Sequence, residues 1–503
     1  LRLGVIVGSV LLALLVGKLL GPETYELIVT ILKAVGLVLL GITVLVTIHE
    51  LGHFLTAKMF GMRVEAFSIG FPPKLFSVQR GDTEYQIGAT PLGGYVKISG
   101  IIDESMDTQH INDEPQPYEF RAKPVWQRLI VMTGGVIMNV ILGVLIFSFL
   151  AFKYGEERTP VEELEYGIAV REEIKSENKC GDIVEKETLG HMLGFRSGDQ
   201  LYSFKGKPLP YVEDYLKPNL LLEDKAYYEV KRGTETARID IPSNILNQFN
   251  NDTVELYLFE KYNYPAKIKL TSEDSLISTM NEGQNWPADK AGLQTGDIIV
   301  QLGERQIDYY VDLLQYIPEY KNKTVDVTVM RSDSLLTLTV QMDTTGKMGI
   351  MPHPDMYEHI KTENKDYNFL ESVKAGYDRA FGIVSVNAKG FGQIVSGNAN
   401  AGSSVMGPLA IAQQYLEIFT SGGWRGFWIL TASLSMILAF VNILPIPALD
   451  GGHVVFLLIE AITRREPSPK IRIIAQQVGM FIILGLMVLV IFNDFFNHIL
   501  GGC

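Results

Sequence analysis

The chain has 503 residues, a formal net charge of −13 and a mean hydropathy of +0.15 despite 20% charged residues. Several structural units are expected at that length, and the acidity argues against a general nucleic-acid binder. Two cysteines, Cys180 and Cys503, make neither a disulfide framework nor a CxxC pair, so a bound metal would have to be held by histidine and carboxylate.

High hydropathy beside so much charge means that apolar blocks alternate with polar ones. A membrane helix needs roughly 20 apolar residues, and several stretches approach or exceed that. The first, Leu3–Leu20, holds only Lys18. It is expected to span rather than to be a signal segment, because Gly21-Pro22-Glu23-Thr24 reads as a turn and not as a cleavage site. Further spans are expected at Tyr25–His53, Leu129–Phe152, Phe427–Leu444 and Ile474–Phe492. A polar block over 155–368 separates the third from the fourth. Long loops cross membranes largely regardless of charge, so orientation is read from short flanks. The basic loop Arg464–Arg472 and the Lys/Arg-rich segment Lys58–Arg128 read as cytoplasmic, which places the polar block and the C-terminus outside. An odd number of spans then puts the N-terminus inside, consistent with Arg2.

His49-Glu50-Leu51-Gly52-His53 ends the second apolar stretch. Helical residues four apart share a face, so both imidazoles can reach one zinc ion, and Glu50 stands where a general base is needed. The bland alternative is a helix end meeting interfacial water, but ionisable groups at this depth are costly and normally functional. Such a site needs a third protein ligand and an open position. Asp450 offers itself: Pro445 and Pro447 break the helix before it, and Gly451-Gly452 let the chain bend closely. The same residue could cap a helix over His453–Ile462. His453, one turn on, is a rival third ligand. Asn442 could donate to a developing oxyanion or make an interhelical hydrogen bond.

These motifs, with Phe67–Phe71, Pro91–Lys97 and Gly407–Ile411 in the same order, resemble the site-2 protease family, and most closely its bacterial regulator-of-sigma-E branch. The resemblance covers nearly the whole chain. It implies zinc bound by His49, His53 and Asp450, Glu50 as general base, and Asn442 against the substrate backbone or oxyanion. Gly93, Gly94, Tyr95, Val96 and Lys97 match a membrane-reentrant β-hairpin that takes up substrate as an extended strand, which keeps an unwound helix's backbone groups satisfied. The extra N-terminal span and the Glu-rich region 155–195 depart from the family's simplest pattern.

Within the polar block, Trp286 to Leu302 resembles the A-G-L-x-x-G-D core of PDZ domains, and His191 to Phe204 is an imperfect copy about 98 residues earlier. Tandem PDZ domains are expected, either binding extended peptide or, as the family favours, excluding substrates with large outer domains. Leu370–Val395 reads as an amphipathic surface helix or as a soluble helix packed on the PDZ pair.

The expected fold is an α-helical polytopic membrane core with a reentrant β-hairpin, plus two extracytoplasmic, mainly β PDZ domains. Its segments are an additional N-terminal span over 1–24, the first part of the core over 25–154, PDZ-like domains over 155–268 and 269–368, an amphipathic helix and connection over 369–425, and the rest of the core over 426–503. The expected activity is zinc-dependent hydrolysis of single-span membrane proteins, of the anti-sigma-factor or remnant-signal-peptide type, in the bacterial inner membrane after outer-domain trimming. The expected partners are membrane substrates and lipid, with no nucleic acid and no second subunit required. Three other readings compete. A membrane-anchored soluble metalloprotease would carry its zinc motif in the polar block. A PDZ scaffold would close a structural zinc site with His453. A transporter would show a second broken helix in a matching repeat.

Overall fold

The computed structural model describes Leu14, Lys18 and residues 21–101, 114–177, 183–245, 254–261, 263–273, 286–344, 346–355, 361–397 and 407–495. The expected first span therefore lies outside the described residues apart from Leu14 and Lys18, as do both cysteines. The chain divides into a helical unit (Leu1–Gly155, Asp366–Phe391, Ala401–Gly501) and a β-rich unit (Glu156–Lys365, Gly392–Asn400, Gly502–Cys503).

The helical unit contains α1 (Pro22–Met59), β1 (Val64–Arg80), β2 (Thr83–Ile98), α2 (Val125–Tyr154), α3 (Phe369–Val395), α4 (Pro408–Ile443), α5 (Asp450–Thr463) and α6 (Pro469–Phe495). Among the described residues, α1, α2, α4 and α6 are long and apolar enough to cross a membrane. At 38 residues α1 is about 57 Å long, well beyond the roughly 30 Å of a bilayer's hydrocarbon. Its ends must therefore reach past the apolar slab or tilt within it.

The fourth helix begins earlier than the hydropathy of Phe427–Leu444 indicates. Gly423, at φ +55° and ψ −144°, interrupts it, so the expected span coincides with the segment after the break. Left-handed φ is open to glycine because it lacks a Cβ. Gly426 then lies against the backbone and side chain of Ile418 as the chain folds back.

Helix α3 buries Ser372, Gly376 and Ala380, a four-residue repeat of small side chains. Gly376 meets Ser148 of α2, and Ala380 packs with Phe147, Ala432 and Met436. Small residues let helices approach this closely without Cβ collisions. Leu370, Val373, Tyr377 and Phe381 remain exposed on α3. The small-residue seam of α3 thus packs on α2 and α4.

Strands β1 and β2 form one irregular antiparallel sheet in which each long strand bends back. Phe67 pairs with both Val96 and Tyr85, and Ser68 with both Tyr95 and Gln86. The tip turns at Gly81, and Lys74 is held to Glu84 at 2.8 Å.

The β-rich unit starts and ends on a single ladder, β3 (Glu156–Arg158) pairing with the strand Glu363–Lys365, Arg158 opposite Glu363. Between them the same module is built twice. In the first, strands Gln200–Phe204, Tyr227–Arg232 and Glu235–Asp240 form an antiparallel sheet; in the second, Ile298–Leu302, Thr324–Arg331 and Ser334–Gln341 do so, extended by Arg305–Gln306. Each sheet follows a short helix ending at a left-handed glycine, Gly194 or Gly292.

The repetition extends to individual hydrogen bonds. Asp199 caps the Arg196 N–H and Asp297 the Gln294 N–H, each at 2.9 Å. Arg232 grips Asp199 through two bonds of 2.7 Å and donates to the Gly194 carbonyl; Arg331 does the same to Asp297 and Gly292. The Asp is nearly fully buried in both modules. Such a carboxylate is tolerated because three donors, two from the arginine and one from the backbone, meet its two oxygens.

Asp199→Ala and Asp297→Ala should each destabilise their own module by about 2–3 kcal/mol, somewhat below the cost of breaking a fully buried pair because each Arg is part-exposed. Pulse proteolysis of the full chain across a urea series checks this; midpoints equal to the parent's would contradict the shared-clamp assignment.

Candidate metal centre

His49 and His53 lie one turn apart near the end of α1, and both are 8% exposed. Their Nε2 atoms are 3.3 Å apart. Asp450 Oδ2 lies 3.2 Å from His49 Nε2 and 3.4 Å from His53 Nε2. Among the described residues, these three form the cluster able to hold a metal ion. His453, the rival third ligand, is not in it and lines a separate cavity with Gly100, Arg128 and Gln476.

The spacing tests the fit to zinc. A tetrahedral zinc ion with nitrogen and oxygen ligands at about 2.0–2.1 Å separates those ligands by about 3.3 Å, which is the separation found on all three edges. Asp450 Oδ2 is buried, and although both imidazoles stand close, it accepts a directed hydrogen bond from neither. A buried carboxylate oxygen left so would be costly, and a shared cation resolves it. Nδ1 of His53 donates to the Val131 carbonyl at 2.8 Å. That carbonyl can only accept, so the proton sits on Nδ1 and Nε2 presents its lone pair to the cluster.

Helix α2 makes this arrangement possible. At Gly135 a Cβ would come within 2.5 Å of His53 Nε2 and 2.7 Å of His49 Nε2. Gly134 lies against the Gly52 carbonyl and Thr56 Oγ1, so α1 and α2 cross almost backbone to backbone. Nδ1 of His49 meets the side-chain amide of Asn139 at 3.2 Å, and Asn139 is wholly buried. At the N-terminal end of α2, Arg128 makes a bidentate ion pair with Glu460 of α5. That pair anchors the helix whose first residue is Asp450.

The loop before α5 brings Asp450 round. Helix α4 ends at Ile443, Ala448 has a φ of +84°, and Leu449 takes the N-cap position, leaving Asp450 inside the first turn rather than capping it. Gly451 lies against the Ile443 and Leu444 carbonyls and Gly452 against Ile446 and Pro447, where any side chain would collide.

The other residues singled out in the sequence divide into two groups. Glu50 lies beside the cluster, facing His49, His53 and Asp450, with the β2 backbone at Val96 close to its carboxylate. Gly94 packs against Glu50 and Val46, and Asn442 Nδ2 is 3.5 Å from His49 Nε2. Gly93 instead makes room for the Phe71 ring, Tyr95 donates to Gln86, and Lys97 pairs with Glu65 at 3.3 Å. Arg128, Gly134, Gly135 and Asn139 escaped the sequence reading. The signal was a Gly-Gly pair with an Asn four residues beyond it, all in an apolar run where small and polar residues face other helices.

The profile of peptidase family M50 matches residues 37–486. The regulator of sigma-E protease RseP of Salmonella typhimurium is 27% identical over 475 residues, covering 91% of this chain and 97% of that protein. Protease RseP of Yersinia pestis is 26% identical over 487 residues, covering 93% and 99%. A Neisseria meningitidis protein assigned by name to the zinc metalloproteases is 27% identical over 483 residues, covering 90% and 96%.

Gly135→Ala should lower zinc affinity at least tenfold while the chain keeps its helix content, because the added methyl occupies the space of both imidazoles. Chelator competition with circular dichroism on the purified chain measures both, and parent-like affinity would show that the rings are not seated as described.

Proposed function

This chain belongs to peptidase family M50 and is a zinc metalloprotease of the site-2 type, and from that premise we propose that it cuts single-span membrane proteins within or at the edge of the bilayer. The observation that carries this reading is the cluster of His49, His53 and Asp450, spaced as ligands of one zinc ion, with Glu50 and a strand edge beside it. In this reading His49, His53 and Asp450 are the ligands. Zinc, when bound, supplies Lewis acidity that polarises a carbonyl and acidifies water.

Glu50 takes the proton of the attacking water and returns it to the departing amine. Asn442 donates its amide N–H to the oxygen that gains charge. The β1–β2 hairpin is taken to be membrane-reentrant, with Gly94 to Lys97 as the edge that receives substrate. A substrate helix hides its carbonyls in its own hydrogen bonds, so it must unwind, and pairing with a strand edge keeps the freed groups satisfied. The packing of Gly94 against Glu50 supports this, since it sets the edge beside the base.

The two β modules are read as tandem PDZ domains outside the cytoplasm, acting as a size filter. Membrane-embedded anti-sigma factors and remnant signal peptides, trimmed beforehand, fit as substrates. The sigma-E name of the Salmonella relative supports that choice. The localisation that goes with it is the inner membrane, with the active site near the cytoplasmic face.

The test co-expresses the chain with single-span reporters that have or lack a large outer domain. The parent should cut only the short reporter, Glu50→Gln should cut neither while retaining zinc, and a chain lacking 159–362 should cut both. Excision is feasible because Arg158 and Glu363 already face each other. Equal cleavage by parent and Glu50→Gln would remove Glu50 from the mechanism; refusal of the large reporter by the excised chain would remove the size filter.

A further inference from the structure

A metal-ligating imidazole must present a lone pair to the metal, so its proton must sit on the other nitrogen and that nitrogen needs an acceptor. For His53 the acceptor is the Val131 carbonyl, at 2.8 Å from Nδ1. For His49 the facing group is the Asn139 side chain, 3.2 Å from Nδ1. The two supports and the intervening glycine follow a strict spacing on α2: Val131, Gly135 and Asn139 are four residues apart and share one face. That face lies along the two histidines of α1, His53 opposite Val131 and His49 opposite Asn139, with Gly135 beneath both rings.

The side-chain amide of asparagine can accept or donate, and exchanging its two ends is a half turn about one bond. With Nδ2 toward the ring, Asn139 Oδ1 is buried without a partner. That orientation would also force the proton of His49 onto Nε2, aiming it into the cluster and taking away the lone pair. With Oδ1 toward the ring, the orphaned acceptor gains the His49 Nδ1–H and Nε2 is free to ligate.

We propose that Asn139 is a positioning residue of the metal site: its Oδ1 accepts the His49 Nδ1–H, fixing the tautomer and aiming Nε2 at the point shared with His53 and Asp450. The proposal rests on the zinc metalloprotease reading and names how the site is armed. Asn139 is itself held from behind, because Ser435 of α4 donates to its backbone carbonyl at 2.8 Å and is fully buried. Asn139 thus joins the helix bearing the zinc motif to the helix leading into the Asp450 loop.

The test uses the full chain in detergent, with Asn139→Leu, which keeps the volume and removes the acceptor, and Asn139→Asp, which keeps the acceptor. Zinc affinity is measured by chelator competition, and the thermal midpoint of each chain is measured after zinc is stripped. Asn139→Leu should lose about 10- to 100-fold in zinc affinity with the stripped-chain midpoint unchanged, while Asn139→Asp should stay within about threefold of the parent, as carboxylate–histidine–zinc arrangements do. Cobalt-substituted parent and Asn139→Asp should share one visible spectrum. Parent-like zinc affinity in Asn139→Leu overturns the proposal. If the leucine variant does not fold, the aspartate variant decides, and a tenfold or larger loss there overturns it. A parent chain that binds no zinc at all removes the metalloprotease premise, an outcome distinct from these.

Discussion

The structure depends on how closely α1 and α2 approach each other. Gly52, Gly134 and Gly135 let the two backbones touch without a Cβ between them, and the space over Gly135 is occupied by two imidazole rings. Ionisable groups are expensive at membrane depth, and packing alone does not repay them. Here α2 meets the expense locally, with the Val131 carbonyl for one ring and the Asn139 amide for the other. The same helix reaches α5 through Arg128 and Glu460, so Asp450 and the two histidines share one support.

The chemistry follows from what surrounds that crossing. Three lone-pair atoms converge, and a carboxylate, Glu50, stands at their edge without joining them. Gly94 packs against it, so the proposed base and the strand proposed to hold an extended backbone are in contact. A metal site between helices with a β-edge beside it fits the proposed hydrolysis of an unwound helix. The paired aspartate–arginine clamps of the β-rich unit serve another purpose. They make two rigid modules from a short, repeated set of contacts.

Much of this was legible in the sequence because its signals are local. The His49–His53 spacing fixes a helical face, the prolines at 445 and 447 fix a break, and the glycine-aspartate turns at 198–199 and 296–297 mark the repeat. The structure brings Asp450, rather than His453, to the histidines, a choice that one turn of helix could not decide. What was hidden is non-local. Arg232 and Arg331 sit more than thirty residues from the aspartates they hold, and Asn139 is 90 residues from His49. The start of α4 was missed because its first segment is less apolar and ends at the Gly423 break. Gly93 to Lys97 lie on β2, where Gly94 packs against Glu50 while Gly93 meets Phe71 and Tyr95 meets Gln86, since alternate residues of a strand face opposite ways.

The most direct test is zinc K-edge absorption on the zinc-loaded full chain carrying the Glu50→Gln change, which in the proposed mechanism stops turnover. The account predicts a four-coordinate nitrogen and oxygen shell at about 2.0–2.1 Å with outer-shell scattering from two imidazoles. A third imidazole, a sulfur shell at about 2.3 Å, or two imidazoles that persist when His49 is replaced would contradict it.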